Sequence, residues 1–89
     1  MKHSYQVEVK EVGNSQAGAA LQFEFSMHED LQELVVRAQQ RQIFSPDEAQ
    51  AFCLGLKLFS GVMLEHRSDP LFAEFQQHFG AFMRRLKQG

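Results

Sequence analysis

Four histidines and one cysteine are the side chains of this 89-residue sequence best suited to bind a metal ion or attack a substrate. His3, His28, His66 and His78 are scattered along the chain, without the short HxxxH spacing that a zinc site uses. Cys53 stands among apolar residues, which is typical of a small buried side chain, whereas a nucleophile needs an exposed, electropositive position. The sequence therefore predicts no catalytic residue, no metal site and no cofactor.

Two charged segments resemble functional sites, but the ends of helices explain both of them equally well. The segment "HEDL" (28–31) offers acid and base groups, but its carboxylates also suit the first turn of a helix, where the macrodipole favours negative charge. The segment "RRLK" (84–87) is the densest basic run, and its cations suit the last turn of a helix. Nine Lys and Arg stand against eleven Asp and Glu, so the net charge of −2 disfavours nucleic-acid binding through Arg84, Arg85 and Lys87.

Composition indicates one globular domain. Apolar residues make up 44% of the chain and charged residues 22%, and a chain of this length has room for one core, so a single domain over residues 1–89 is expected. The N-terminus alternates apolar and polar residues instead of carrying the apolar run of a secretory signal. The apolar segment around Lys57 is too short and too interrupted to span a bilayer. With a lone cysteine, these features favour a cytoplasmic protein without membrane contact.

Two short stretches alternate apolar and polar residues, which is the period of half-buried strands. They predict strands over about 5–12 and 20–26, joined by the connection "GNSQAG" (13–18). So short a connection favours antiparallel pairing, because a parallel crossover needs a dozen residues or more. The expected product is a two-stranded antiparallel ribbon.

Three start signals predict three helices after the ribbon. Ser26 with Glu29 reads as a capping box that opens a helix over about 27–41. The segment "SPDE" (45–48) opens a second helix over about 46–66, and "SDP" (68–70) opens a third over about 70–87. The fold class is therefore α+β, with helices gathered on one face of the ribbon.

The second predicted helix is apolar on two opposite faces at about 100° per residue. One face is broad, and the other consists of Ala51, Leu54, Leu58 and Val62. Two interpretations stay open: the chain covers both faces itself, or the face with Leu54, Leu58 and Val62 meets a second protein chain. Gly55 and Gly61, which a helix disfavours, predict a close backbone approach beside this helix.

The third predicted helix carries a wide apolar stripe that is expected to face the core: Leu71, Phe72, Phe75, Phe79, Phe82, Met83 and Leu86. Ala73 and Gly80 fall on its opposite side, where they could form a shallow groove for a partner side chain. A glycine that the helix merely tolerates is the alternative explanation of Gly80.

The segments "KHSYQVEV", "FEFSMHEDL", "FCLGLKLFSGVMLEHRSDPLF" and "FGAFMRRLK" resemble a family of small bacterial proteins of about this length, described as a domain of unknown function. The resemblance covers almost the whole chain, and "LGLKLFSGVML" is its most specific part. It implies a stand-alone bacterial protein with a compact mixed α and β fold, and it implies no activity, ligand or catalytic residue.

Three functional hypotheses follow from the residues. The first is a non-catalytic interaction protein that forms a homodimer or binds another protein, with a possible interface at Leu54, Leu58, Val62, Ala73 and Gly80. The second is small-molecule binding or a minor enzymatic role, with His28, His66 or His78 lining a Phe-rich pocket. The third is nucleic-acid binding through the basic segment at the C-terminus, which predicts a steep dependence of affinity on salt.

Overall fold

The computed structural model describes residues 2–14, 16 and 18–88. A two-stranded antiparallel ribbon is followed by helices, which confirms the predicted α+β fold class. In chain order the elements are β1 (His3–Lys10), β2 (Ala19–Met27), α1 (Leu31–Gln39), α2 (Pro46–Glu65), α3 (Pro70–Ala73) and α4 (Phe75–Gln88).

The chain forms two compact units, Met1–Leu34 and Val35–Gly89. The first contains the ribbon and the first turn of α1, and the second contains the rest of α1 and the helices that follow. The expectation of a single domain over residues 1–89 stays a prediction.

The ribbon has one apolar and one polar face, because successive side chains of a strand point to opposite sides. Pairs on the apolar face are His3 with Met27, Tyr5 with Phe25, Val7 with Phe23 and Val9 with Leu21. Pairs on the polar face are Ser4 with Ser26, Gln6 with Glu24 and Glu8 with Gln22. Next to the hairpin the register shifts, since Lys10 pairs with Ala19 and leaves Ala20 as the extra residue of a bulge in β2.

The predicted hairpin connection is described only in part, since its residues 15 and 17 lie outside the described residues. Gly13 has a φ of 87°, a left-handed conformation that glycine adopts at little cost. The Asn14 side-chain amide donates to Glu11 Oε2 at 3.1 Å, and Asn14 Oδ1 accepts from the Gln16 backbone N–H at 3.3 Å. These local bonds are typical of a turn.

Helix α1 begins at Leu31, four residues later than the sequence pattern predicts. Ser26 lies in β2, where its hydroxyl bonds the hydroxyl of its cross-strand partner Ser4 at 3.0 Å, so it does not cap a helix. Asp30 takes that place, because its Oδ1 accepts from the Gln32 N–H at 2.9 Å. The Tyr5 hydroxyl accepts from the Leu31 N–H at 3.0 Å and satisfies another donor of the first turn. Strand pairing thus overrides the local capping signal.

Helix α2 begins where the sequence predicts. Ser45 Oγ accepts from the Glu48 N–H at 3.2 Å, and Glu48 Oε1 accepts from the Ser45 N–H at 2.9 Å, which completes a capping box. Pro46 occupies the first helical position, where its missing N–H does no harm.

The third predicted helix is divided into α3 and α4. Asp69 caps α3, since its Oδ1 accepts from the Leu71 N–H at 2.9 Å. Glu74 separates the two segments but keeps helical angles, φ −71° and ψ −41°. The division therefore interrupts the hydrogen-bond pattern without reversing the chain.

Few apolar side chains are fully buried. Among the described residues they are Ala38, Ala49, Cys53 and Met63, and no phenylalanine belongs to this set. Across the described part of the chain, no helix combines the length and apolarity that crossing a membrane requires.

Candidate functional site

The inner face of α2 is covered by the chain itself. Ala49 is 0% exposed, Cys53 5% and Met63 1%. At about 100° per residue these three side chains lie within one narrow sector of the helix. This part of the broad predicted face is core.

The outer face of α2, which we define as Ala51, Leu54, Leu58 and Val62, lies opposite that sector. Leu54 and Leu58 are half-buried, and Val62 is 56% exposed. An aliphatic side chain left in water forgoes about 1.5–3 kcal/mol of burial free energy. The outer face is therefore an apolar surface that this chain covers incompletely.

Gly55 and Gly61 flank the outer face, one on each side, at about 100° per residue. A Cβ built on either glycine meets no atom within 4 Å, so the close backbone approach predicted from the sequence is wrong for the contacts within this chain. The absence of a side chain at these two positions leaves shallow places on both margins of the outer face.

Ala73 and Gly80, the other two predicted interface residues, belong to different helical segments. Ala73 is the exposed last residue of α3, and Gly80 is half-buried within α4. A Cβ at Gly80 would lie 3.7 Å from Nη1 of Arg84, so this flank is partly covered by the helix's own arginine. A groove for a partner side chain between these residues stays a prediction.

Seven of the nine phenylalanines form one continuous series of ring contacts in the second unit. Neighbouring ring centroids lie between 4.9 and 6.4 Å apart, distances at which aromatic pairs attract each other. The series runs through Phe44, Phe52, Phe82, Phe79, Phe75, Phe59 and Phe72. It joins α2 to α3 and α4 through side chains.

The phenylalanine series is only partly enclosed. Phe59, Phe75 and Phe82 are exposed, and so is Leu71 at the start of the same predicted stripe. No member of this predicted stripe is fully buried. The half-buried members are Phe72, Phe79, Met83 and Leu86, so the expectation that the stripe faces the core holds only in part. A helix stripe identifies apolar side chains, but its period does not say how much of the stripe another element covers.

A second apolar surface lies on the ribbon, and the sequence pattern predicts this face but not its exposure. On the apolar face, Tyr5 and Phe25 are half-buried, whereas Phe23 is 41% exposed and Leu21 59% exposed. Exposure thus rises from the open end of the ribbon toward the hairpin. Strict alternation signalled the apolar face, but alternation carries no information on which half of it is covered.

Comparison with known proteins places the chain in a family. A family model described as a domain of unknown function with solved structure, DUF3861, matches residues 3–88. The chain belongs to the DUF3861 family. This confirms the resemblance to a family of unknown function stated from the sequence.

One solved structure resembles this DUF3861 chain over its whole length. It is the crystal structure, at 2.20 Å resolution, of a protein of unknown function from Pectobacterium atrosepticum. The two chains are 43% identical, the match covers 100% of each, and the TM-score is 0.88. No curated protein matches this chain. The comparisons thus support the fold and the family and bring no activity with them.

Cys53 of this DUF3861 protein is a buried thiol. Burial raises the pKa of the Cys53 thiol, and the positive charge of nearby Lys57 lowers it by a smaller amount. The thiolate is the nucleophilic form, so a raised pKa makes the side chain less reactive at neutral pH. The prediction that Cys53 is a small core residue is confirmed.

The histidines lie on separate elements and are exposed where they were considered for a pocket. His28 follows β2, His66 is the C-cap of α2, and His78 lies in α4. One surface depression is lined by residues 64–70 in the turn between α2 and α3, with one histidine and no phenylalanine. Its composition differs from the Phe-rich pocket of the second hypothesis. Within the described residues, no three His, Cys, Asp or Glu side chains are grouped as metal ligands.

The basic segment at the C-terminus lies in the last turns of α4. Arg84, Arg85 and Lys87 are exposed, and Arg85 and Lys87 occupy the final turn, where cations are favoured by the helix dipole.

Gln76, in the same helix, has a buried Nε2 atom that finds no hydrogen-bond acceptor among the described residues. No sequence pattern predicts this buried amide, because burial of one atom depends on tertiary packing.

Proposed function

We propose that this protein is a non-catalytic, cytoplasmic bacterial interaction protein that forms a homodimer. The observation that carries the proposal is the balance of apolar side chains among the described residues: four are fully buried, whereas twelve large ones are exposed. Monomeric soluble proteins rarely expose contiguous apolar patches of large area. Association with a second copy would cover part of this exposed apolar area.

The outer face of α2 supports the proposal by its shape as well as its composition. Leu58 stands at the centre of the face, and the open flanks at Gly55 and Gly61 would let another backbone approach closely. Two glycines in one helix each cost about 0.5–1 kcal/mol relative to alanine. A close contact with a second copy would compensate this cost, which contacts within the chain do not.

A symmetric pair of identical chains fits this surface best. The commonest soluble assembly is the two-fold dimer, in which the same patch of both copies meets itself. The outer face has Leu and Val at its centre, so placing it against itself brings apolar side chains together. Its self-complementarity therefore favours a homodimer over a heterologous contact.

The test replaces Leu58 by aspartate. We expect Leu58→Asp to convert a dimer into a folded monomer, because a carboxylate at the centre of an apolar interface loses its hydration without gaining a partner. Multi-angle light scattering measures the mass, and circular dichroism measures the helix content. Gln50→Asp is the matched control, because Gln50 is an exposed polar residue of the same helix outside the outer face.

Two outcomes would contradict the proposal. A wild-type protein that stays monomeric at high micromolar concentration removes the homodimer. A Leu58→Asp variant that loses its helix signal altogether shows that the outer face is internal core. Gly61→Ala is the second variant: a Cβ there meets nothing within 4 Å, so we expect the change to weaken the dimer without unfolding the chain.

A further inference from the structure

The outer edge of β2 is an unpaired strand edge. The sheet consists of β1 and β2 alone, so each strand has one side without a neighbouring strand in the described part of the chain. The backbone bonds of loops and helix caps that the structure describes do not involve residues 19–27. Alternate N–H and C=O groups along this edge therefore point away from β1, and they have no backbone partner among the described residues.

The sequence of β2 lacks the residues that usually protect an edge. Lysine, proline and inward-pointing charges discourage an edge strand from pairing with another chain. β2 reads AALQFEFSM and contains none of the first two, with Glu24 as its only charge on the polar face. β1 by contrast carries Lys10 near its end. The bulge at Ala20 disturbs β2 only next to the hairpin and leaves residues 21–27 in regular register.

We infer that β2 pairs antiparallel with β2 of a second copy, centred on Phe23, so that the two ribbons form one four-stranded sheet. This inference rests on the homodimer proposed above and adds β2 to its interface, in addition to the outer face of α2. The occupant is a second copy because β2 is complementary to itself in this register. An isolated two-stranded ribbon is marginal in water, and four strands with an apolar face are more stable.

The register follows from the side chains. Centring on Phe23 places it opposite the same residue of the second copy and places Leu21 opposite Phe25 of that copy. The exposed Phe23 and Leu21 thereby gain apolar neighbours at cross-strand distances of about 4.5–5.5 Å. On the polar face, Gln22 meets Glu24 of the second copy. A centre one residue later would oppose Glu24 to itself, and like charges directly opposite are destabilising.

Disulfide trapping tests the pairing in the full-length chain. Gln22→Cys and Glu24→Cys are each made in a Cys53→Ala background and mixed under mild oxidation. Directly opposite residues of antiparallel strands have Cα atoms about 4.5–5.5 Å apart, within the range that a disulfide bridges. We expect a species of twice the 10.2 kDa chain mass in the mixture, its loss on reduction, and little of it from either variant alone.

The matched control uses the other strand. Gln6 and Glu8 lie opposite Glu24 and Gln22 on the same polar face, so a mixture of Gln6→Cys and Glu8→Cys probes an equivalent pairing through β1. We expect no cross-linked species from it. Should the Cys53→Ala background lose its circular dichroism, the same variants retain Cys53, and mass spectrometry of the linked peptides identifies the 22–24 bond.

The outcomes separate this inference from the homodimer itself. A dimer by light scattering without a 22–24 bond overturns the β2 pairing and leaves self-association standing. Cross-linking through β1, or of Gln22→Cys alone, overturns the proposed edge or register. A monomer at high micromolar concentration overturns both proposals.

Discussion

Val62 and Met63 are neighbours in α2, yet Val62 is 56% exposed and Met63 1% exposed. Both side chains are apolar, and both were placed on apolar faces by the same helical period. The difference between the inner and outer faces lies in what surrounds them, since Met63 is enclosed by its own chain. Helical periodicity identifies faces, whereas tertiary packing decides which face becomes core.

The strongest test of this comparison removes one side chain from each face. Met63→Ala should lower the free energy of unfolding by about 2–5 kcal/mol, because it leaves a cavity at a fully buried position. Val62→Ala in dilute protein should change it by no more than about 0.5 kcal/mol, as surface substitutions usually do. Urea denaturation measures both, and equal losses would show that the outer face is core as well.

Ser26 and Ser45 both match the sequence pattern of a helix cap, and replacing them should change the free energy of unfolding by smaller and different amounts. Ser45→Ala should lower the free energy of unfolding by about 1 kcal/mol, since Ser45 Oγ accepts from the Glu48 N–H. Ser26→Ala should remove only the exposed hydroxyl pair with Ser4, which is worth about 0.2–1 kcal/mol. The same denaturation experiment compares the two variants, and a larger loss at Ser26 would mean that it fixes more than a cross-strand pair.

A loss of similar size to that at Ser45 is expected at Cys53 on the inner face. Cys53→Ala should cost on the order of 1 kcal/mol near neutral pH without altering the fold. A thiol reagent should label wild-type Cys53 only as fast as the protein opens, because burial raises its pKa and shields the sulfur. Rapid labelling of the native protein would contradict its burial.

The pH dependence of this difference has a definite sign. The native thiol holds its proton to higher pH than the unfolded thiol, since burial raises its pKa in the folded state. The resulting stabilisation is complete below the unfolded pKa of about 8.5 and is lost as pH rises through the native pKa. The gap between wild type and Cys53→Ala should therefore narrow above about pH 8.5 in denaturation curves.

Local signals predicted those elements whose boundaries depend on local contacts. The start of α2 followed from "SPDE", because a capping box and a proline act within four residues of sequence. The start of α1 did not follow from Ser26, because pairing with β1 holds Ser26 in β2. That pairing joins Ser4 to Ser26, which are 22 positions apart in the sequence, and a local sequence pattern does not predict so distant a contact.

The candidate site shows the same division. The helical period predicted the apolar face with Leu54, Leu58 and Val62, and strand alternation predicted the apolar face of the ribbon. The sequence did not predict the exposure of Phe23 or the order of the seven contacting rings, because both depend on which elements pack together. The buried amide of Gln76 is likewise a product of packing.

Tyr5, whose hydroxyl accepts from the Leu31 N–H, also provides a spectroscopic signal for its part of the chain. Tyr5 is the chain's only tyrosine and there is no tryptophan, so tyrosine emission originates from a single ring in the unit Met1–Leu34. Most of the helical dichroism originates from α2 and α4 in the unit Val35–Gly89. Two optical signals from one unlabelled sample therefore follow the two units separately, and coincident melting curves would mark a single cooperative transition.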